Sequence, residues 1–439
     1  MKFLVRVPLT CWLALWLLAG PAHAALTIEI TQGAQGALPI AIVPFGWQGP
    51  APNPPQDIAS IIASDLYRSG RFAPIPAKNM PEQPHDGNQV NFASWRAVRT
   101  PNLVVGQIRP TGQGMYVVQF QLFDVYQGTQ LTGYTITAPA SELRHVAHHI
   151  SDIIYEKLTG QRGAFNTRIA YVIAKGSRSS RSYEVVVSDW DGYDPQIIVR
   201  SKQPLMGPAW SPHGRRLAYV SFERGHAQVY VQTVATGARI PLAQYPAIGN
   251  AQVWSPAWSP DGRQLALTIS RNGNPDVYVF NLVSKTLRRM THSSAIDTEP
   301  TWSPDGRTLV FTSDRGGSPQ LYKVSVNGGR PQRITFQGNY NARAEFSPDG
   351  RQIAFVHRVS GKFQVAVLDL DSGQMRVLTD DDLDDSPSFA PNGSMILYAS
   401  RHGGRGVLAE VSDDGSVHQR LTSQQGSLQE PSWGPYGQR

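Results

Sequence analysis

Apolar positions in the second half of the chain fall into short blocks at a regular interval, each block headed by an aromatic residue. The heads are Trp210, Trp258, Trp302, Phe346, Phe389 and Trp433, separated by 48, 44, 44, 43 and 44 residues. A turn sequence follows each head, in its fullest form Ser-Pro-Asp-Gly, as after Trp258 and Trp302. Serine suits the first position of a type I turn, proline presets φ at the second, and glycine suits the last. Seven residues beyond each of the first five aromatics an apolar run begins, at Leu217, Leu265, Leu309, Ile353 and Ile396. Shorter runs such as Val277-Tyr-Val-Phe280 and Arg333-Ile-Thr335 complete four strands per unit. About 44 residues and four strands match one blade of a β-propeller, with the aromatic sized to wedge between neighbouring sheets. His213, Ala390, Asn392 and Tyr436 depart from the motif, which weakens those turns without removing the blade.

The ends of the array sharpen this expectation. Ile169-Ala-Tyr-Val172 has the pattern of a second strand with no aromatic head before it, while Glu430-Pro-Ser-Trp433 is a first strand with no continuation. The C-terminal strand is therefore expected to complete the blade that begins near Ile169, closing a six-bladed propeller over residues 169–439 and hiding its sheet edges.

The first half alternates between strand and helix periodicity. Pro39–Phe45 is expected to be a buried strand, and a Gly/Pro loop runs from Gly49 to Pro55. Asp57 is placed to cap a helix carrying Ile58, Ile61, Ile62 and Leu66 on one face, stopped at Ser69-Gly70. Strands follow at Leu103–Ile108, Tyr116–Asp124 and Gln130–Ala138, the last two as a hairpin. Ser141 is then positioned to cap a long helix striped by Leu143, Val146, Ala147, Ile150, Ile153, Ile154 and Leu158. These elements predict a small α/β domain over 37–160, with 161–168 as linker. Ahead of it, residues 25–36 form a separate segment, in which Thr27-Ile-Glu-Ile30 alternates like an exposed edge strand and Gly33 and Gly36 allow a hinge.

Composition narrows the function classes. The chain has 40 Lys+Arg against 33 Asp+Glu, a net +7 that is spread along its length, which argues against a dedicated nucleic-acid binder. Lys2 and Arg6 precede an apolar stretch from Leu9 to Ala19, Pro21 breaks it, and Ala22-His23-Ala24 has the small-x-small form of a signal-peptidase site. Residues 1–24 are thus expected to be a signal peptide cleaved after Ala24, leaving a soluble exported protein without its one cysteine, Cys11. Thr10 before Cys11 does not suit lipid attachment.

Candidate chemistry is sparse. His145, His148 and His149 share one helix face at metal-binding spacing, but no nearby Cys or Glu completes a site in sequence, so a structural role is expected. The run from Asp380 to Asp385 offers oxygen ligands for a cation such as calcium, although acidic runs are more often solvated loops. Arg401–Arg405 is expected to be a turn. Nucleophile-elbow, zinc-protease, phosphate-loop and dinucleotide motifs are absent from the sequence. A prolyl-oligopeptidase-like hydrolase would need a further large catalytic domain, and a propeller lactonase would need converging carboxylates and histidines. The residues just before each aromatic are instead mixed: Met206, Ser255, Glu299, Arg343, Ser386 and Glu430. Such variety suits recognition of a protein surface, with no catalytic residue, cofactor or metal expected.

The signal peptide, the Pro39–Phe45 strand, the Ser-Gly-Arg-Phe72 helix end, Gln203-Pro-Leu-Met206 and Thr298-Glu-Pro-Thr-Trp-Ser-Pro-Asp-Gly306 together resemble the TolB family over essentially the whole chain. That family is the periplasmic component of the Tol–Pal cell-envelope system of Gram-negative bacteria. The resemblance implies a non-enzymatic, monomeric periplasmic protein serving outer-membrane integrity and envelope invagination during division. It implies two principal partners. The peptidoglycan-associated lipoprotein Pal would dock at the propeller channel mouth, on Leu205, Met206, Gln252, Ser255, Thr298, Glu299, Arg343, Asp385, Ser386 and Glu430. The C-terminal domain of TolA would take the mature N-terminal segment, Ala25, Leu26, Thr27, Ile28, Glu29, Ile30, Thr31, Gln32 and Gly33. Outer-membrane lipoproteins or porins and bacteriocin translocation segments are further candidate partners. The loop at Gln252-Val-Trp-Ser255 carries the longer spacing and departs from the family pattern.

Overall fold

The computed structural model describes residues 26–33, 36–177, 180–271 and 273–437. The expected signal peptide with Cys11, its cleavage site and Ala25 lie outside the described residues.

Six antiparallel sheets form the propeller, five of four strands and one of five, each with its first strand innermost. The innermost strands are Leu205–Trp210, Gln252–Trp258, Asp297–Trp302, Asn341–Phe346, Asp385–Phe389 and Ser427–Trp433. The last of these pairs antiparallel with Arg168–Lys175, so blade one is completed by the C-terminal strand and the ring closes as the end pattern predicts. Blades two to six then follow in chain order.

The aromatic heads act as wedges with a polar tip. The indole N–H of Trp258 donates to the Ala209 carbonyl of the preceding blade at 3.1 Å, and that of Trp302 to Ala257 at 3.1 Å. Trp210 donates to Ser432 at 3.2 Å, carrying the same contact across the closure. Where Phe389 lacks the N–H, Glu345 accepts from the Phe389 backbone amide at 3.0 Å and from Ser388 Oγ at 3.1 Å.

The turns work as the motif suggests. Ser259 Oγ donates to Asp261 Oδ1 at 2.6 Å, Asp261 Oδ1 accepts from the Arg263 amide, and Gly262 closes the turn at φ +67°. At that φ a side chain is strained, which makes glycine the fitting residue.

In the first domain, Phe72–Pro74, Leu38–Ile42 and Asn102–Gly112 pair in parallel, and Met115–Asp124 and Thr129–Pro139 extend the sheet antiparallel. Helices α1 (Ile58–Arg68) and α3 (Leu143–Thr159) cover one face, while α2 (Phe92–Ala97) brings Trp95 against the other. Asp57 caps α1 by accepting from the Ser60 amide at 3.0 Å. Ser141 does not cap α3: a turn of 3-10 helix over Ala140–Glu142 precedes it, and Glu142 takes the cap position without a side-chain bond.

Two connecting segments pack against the body. The 161–168 linker is packed down, with Ala164 and Phe165 buried in an apolar cluster shared by α1, α3 and the first and last blades. The N-terminal segment is indeed an edge strand, but a paired one. Thr27–Gln32 lies antiparallel to His418–Thr422 as the fifth strand of blade six. Among the described residues of the segment only Leu26 is buried; Ile28 and Ile30 are half-covered. Among the described residues no helix is long and apolar enough to cross a membrane.

Candidate functional site: the channel mouth

Each innermost strand carries a β-bulge at the same place. The register with the next strand shifts between Met206 and Ala209, Trp254 and Ala257, Thr298 and Thr301, Ala342 and Glu345, Asp385 and Ser388, and Gln429 and Ser432. One residue in each bulge is left-handed: Gly207, Ser255, Glu299, Arg343, Ser386 and Glu430, with φ between +49° and +55°. Five of the six are not glycine. Each such residue costs roughly 1 kcal/mol or more in backbone strain, and strain of this kind collects at binding sites. The bulges turn these side chains into a cavity of about 750 Å³ that runs along the innermost strands, walled also by Met206, Gln252, Trp254 and Thr298.

Arg343 organises the ring. Its Nε lies 3.2 Å from Glu299 Oε1 and 3.3 Å from Asp385 Oδ1, and its Nη1 donates to Ser386 Oγ at 2.6 Å and to Glu430 Oε2 at 3.3 Å. Burial alone would lower the guanidinium pKa, but the charges of Glu430, Asp385 and Glu299 hold it above its ordinary value. Burial raises the Glu430 carboxyl, and Arg343 opposes that rise. Three carboxylates around one guanidinium leave the mouth with an excess of negative charge, set among proline, methionine and tryptophan surfaces. No hydroxyl or thiol there is paired with a histidine base among the described residues, as nucleophilic catalysis would need.

The structure brings together most of the residues expected at the mouth and removes one. Met206, Gln252, Ser255, Thr298, Glu299, Arg343, Ser386 and Glu430 line the cavity, and Asp385 reaches it through Arg343. Leu205 does not: it is fully buried in the core between blades one and two. Met206 is also not the counterpart of Glu299; Gly207 is, one residue later. Sequence reasoning missed Trp254, whose indole N–H donates to Thr298 Oγ1 at 3.4 Å, and the bulge itself. The signal was present, since a proline follows the left-handed residue in five of six repeats and cannot donate to a ladder.

The helix histidines sit elsewhere. His148 is buried between the domains, its Nδ1 2.8 Å from Asp65 Oδ2 of α1 and its Nε2 3.9 Å from Asp191 Oδ2 of blade one. Partners far apart in sequence thus build a cluster that local spacing could not show. Its donors lie within reach of a common metal position. However, Arg144 Nη2 donates to Asp191 Oδ2 and Arg68 lies 3.6 Å from the same oxygen, so the cluster is an ion-pair network holding the first domain on the propeller. Burial would lower the His148 pKa, but the charge and hydrogen bond of Asp65 raise it above the ordinary value.

Residues 155–437 match the family described as the TolB beta propeller domain, and residues 26–131 match the TolB amino-terminal domain. The Tol-Pal system protein TolB of Thioalkalivibrio sulfidiphilus is 55% identical over 416 residues, covering 94% of this chain and 95% of that protein. The same-named protein of Nitrosococcus oceani is 52% identical, covering 96% of each. The crystal structure of TolB from Acinetobacter baumannii superimposes with a TM-score of 0.85 at 41% identity, over 93% of this chain and all of that one.

Proposed function

The chain belongs to the TolB family and is a component of the Tol-Pal system, and from that premise we propose that it is a non-catalytic periplasmic scaffold with two separate docking surfaces. The channel mouth receives Pal, and the N-terminal strand is taken by the C-terminal domain of TolA. The linkage serves outer-membrane integrity and inward folding of the envelope at division. The observation that carries the reading is the ring of left-handed residues. Five blades retain strained, chemically different side chains around one cavity, where glycine would relieve the backbone.

The mouth suits a partner surface with positive and small polar groups facing Glu299, Asp385 and Glu430 and an apolar projection against Met206 and Trp254. The N-terminal strand suits strand addition, because its main chain already pairs at a sheet edge and few side chains anchor it. TolA would pair with the segment at its free edge or after its release from blade six. Outer-membrane lipoproteins, porins or bacteriocin segments would compete at the mouth on this reading.

Replacing Glu299 by Lys together with Met206 by Asp tests the mouth. Calorimetry should show Pal affinity reduced at least tenfold, with the melting temperature changed by only a few degrees. Unaltered affinity would move the Pal site away from the channel, and turnover of a peptide or ester substrate would contradict the scaffold reading.

A further inference from the structure

Two residues before each left-handed residue of the ring lies a position that all six blades bury completely. Its occupants are Leu205, Val253, Asp297, Asn341, Asp384 and Leu428, each 0% exposed. Three are apolar and raise no electrostatic question. Asp297 is neutralised by Arg315, whose Nη2 lies 2.8 Å and 2.7 Å from its two carboxylate oxygens. Asn341 is uncharged and fully bonded, donating to Gln320 Oε1 at 2.8 Å and to the Gln337 carbonyl at 2.9 Å while His357 Nδ1 lies 2.6 Å from its Oδ1.

Asp384 has neither solution. Both of its carboxylate oxygens are buried without a hydrogen-bond partner. The blade-six counterpart of Arg315 is His402, two residues past Ser400 as Arg315 is past Ser313, and it is exposed. An isolated buried carboxylate costs several kcal/mol unless it is neutralised. Burial pushes its pKa up to about 6, so protonation does not relieve that cost above neutral pH.

The surroundings deepen the deficit. The Ser400 and Thr379 hydroxyls, beside Asp384, draw its pKa down against burial, the charges of Asp381 and Asp380 push it up, and Ser400 Oγ donates to Asp381 Oδ2 at 3.2 Å. Burial, and then the charges of Asp384, Asp381 and Asp380 against the opposing charge of Arg420, hold the Tyr398 phenol far above its usual range. Lys362 is engaged elsewhere, 3.0 Å from Asp382 and 3.2 Å from the Asp380 carbonyl, and Asp385 is paired with Arg343. Arg420, whose charge opposes these carboxylates at Tyr398, lines the adjoining cavity of about 450 Å³ with Asp380 and Asp381.

We propose that Asp384 and Asp381, with the hydroxyls of Ser400 and Thr379, form a calcium site where the chain passes from blade five to blade six. The donors are hard oxygens without histidine or cysteine, which favours calcium over zinc. Irregular spacing and a mixture of carboxylate and hydroxyl suit calcium better than magnesium, which demands near-ideal octahedral geometry. The cavity beside Asp381 supplies the entry path. With two carboxylates the site belongs to the weak extracellular class, with dissociation constants of roughly 0.1–1 mM.

The test uses the full mature chain at pH 7.5 in chelator and in about 5 mM calcium chloride, a concentration that saturates a site of this class. Wild type should gain a few degrees of melting temperature with calcium and give a binding isotherm in calorimetry. Asp384→Asn should match or exceed wild type in chelator, as Asn341 does the same task in blade five, and should lose the calcium response. Asp381→Asn, at a half-exposed position, should weaken binding about tenfold, and it decides the matter if the first variant fails to fold. No calcium response in wild type would overturn the proposal. A response retained in both variants would overturn it too, by assigning the ion to other carboxylates such as Glu299 and Glu430.

Discussion

At the scale of single residues, the molecule tolerates buried charge where a neighbour answers it. Glu410, on the third strand of blade six, is the counter-example, 1% exposed with both oxygens unpartnered. Burial pushes its carboxyl up to about 8, against the pull of Arg68. Because the folded state holds its proton more tightly than the unfolded state, stability falls as pH rises from about 4.5 to about 8. The loss is at most about 5 kcal/mol. Glu410→Gln should flatten that part of the stability curve and raise the urea midpoint at pH 8; an unchanged pH profile would contradict the assignment. Arg343 is the opposite case. Arg343→Ala leaves Glu299, Asp385 and Glu430 facing one another, and chemical denaturation should register a loss of about 2 kcal/mol. The channel residues were largely legible from their place before each aromatic. The burial of Leu205 was not legible, because strand alternation turns it into the core and the bulge after it shifts the register by one.

At the scale of elements, the turn motif, the Asp57 cap and the blade count could be read directly, since each depends on residues close in sequence. The start of α3 could not, because an intervening 3-10 turn displaces the cap from Ser141 to Glu142. The docking of Thr27–Gln32 onto blade six was equally hidden. Its partner strand lies nearly four hundred residues away, and its alternating pattern fits any sheet edge. Five register pairs and one buried side chain make it a low-stability element by comparison with the blade interior. Deleting residues 25–33 should therefore speed hydrogen exchange at amides of His418–Thr422 while Arg405–Ser412 stays protected. The melting temperature should drop by no more than a few degrees. Loss of protection through Arg405–Ser412 would mean that the segment is integral to the blade.

At the scale of the whole molecule, two devices hold the parts together. The strand Ser427–Trp433 closes the ring, and the closure was legible because the two incomplete repeats are complementary. The domain junction was not, since it joins Asp65, His148 and Asp191 from three distant segments over a shared apolar cluster. That cluster predicts one cooperative calorimetric transition for the wild type. Asp191→Ala strips Arg144 and Arg68 of their partner and should separate the first domain's melting from that of the propeller; a single unshifted transition would show that apolar contact alone joins them. The same junction touches the N-terminal strand, because Leu26 donates its amide to the Gly192 carbonyl at 3.3 Å, one residue from Asp191.

On the proposed function, the channel mouth and the N-terminal strand are separate docking surfaces for different partners. Calorimetric titration of the mature chain and its 25–33 deletion, in one buffer, with purified Pal and with the TolA C-terminal domain separates the two surfaces. The deletion should abolish TolA binding, because the main-chain donors and acceptors of the added strand are gone, and leave Pal affinity within about threefold. Undiminished TolA binding by the deletion protein would contradict that assignment.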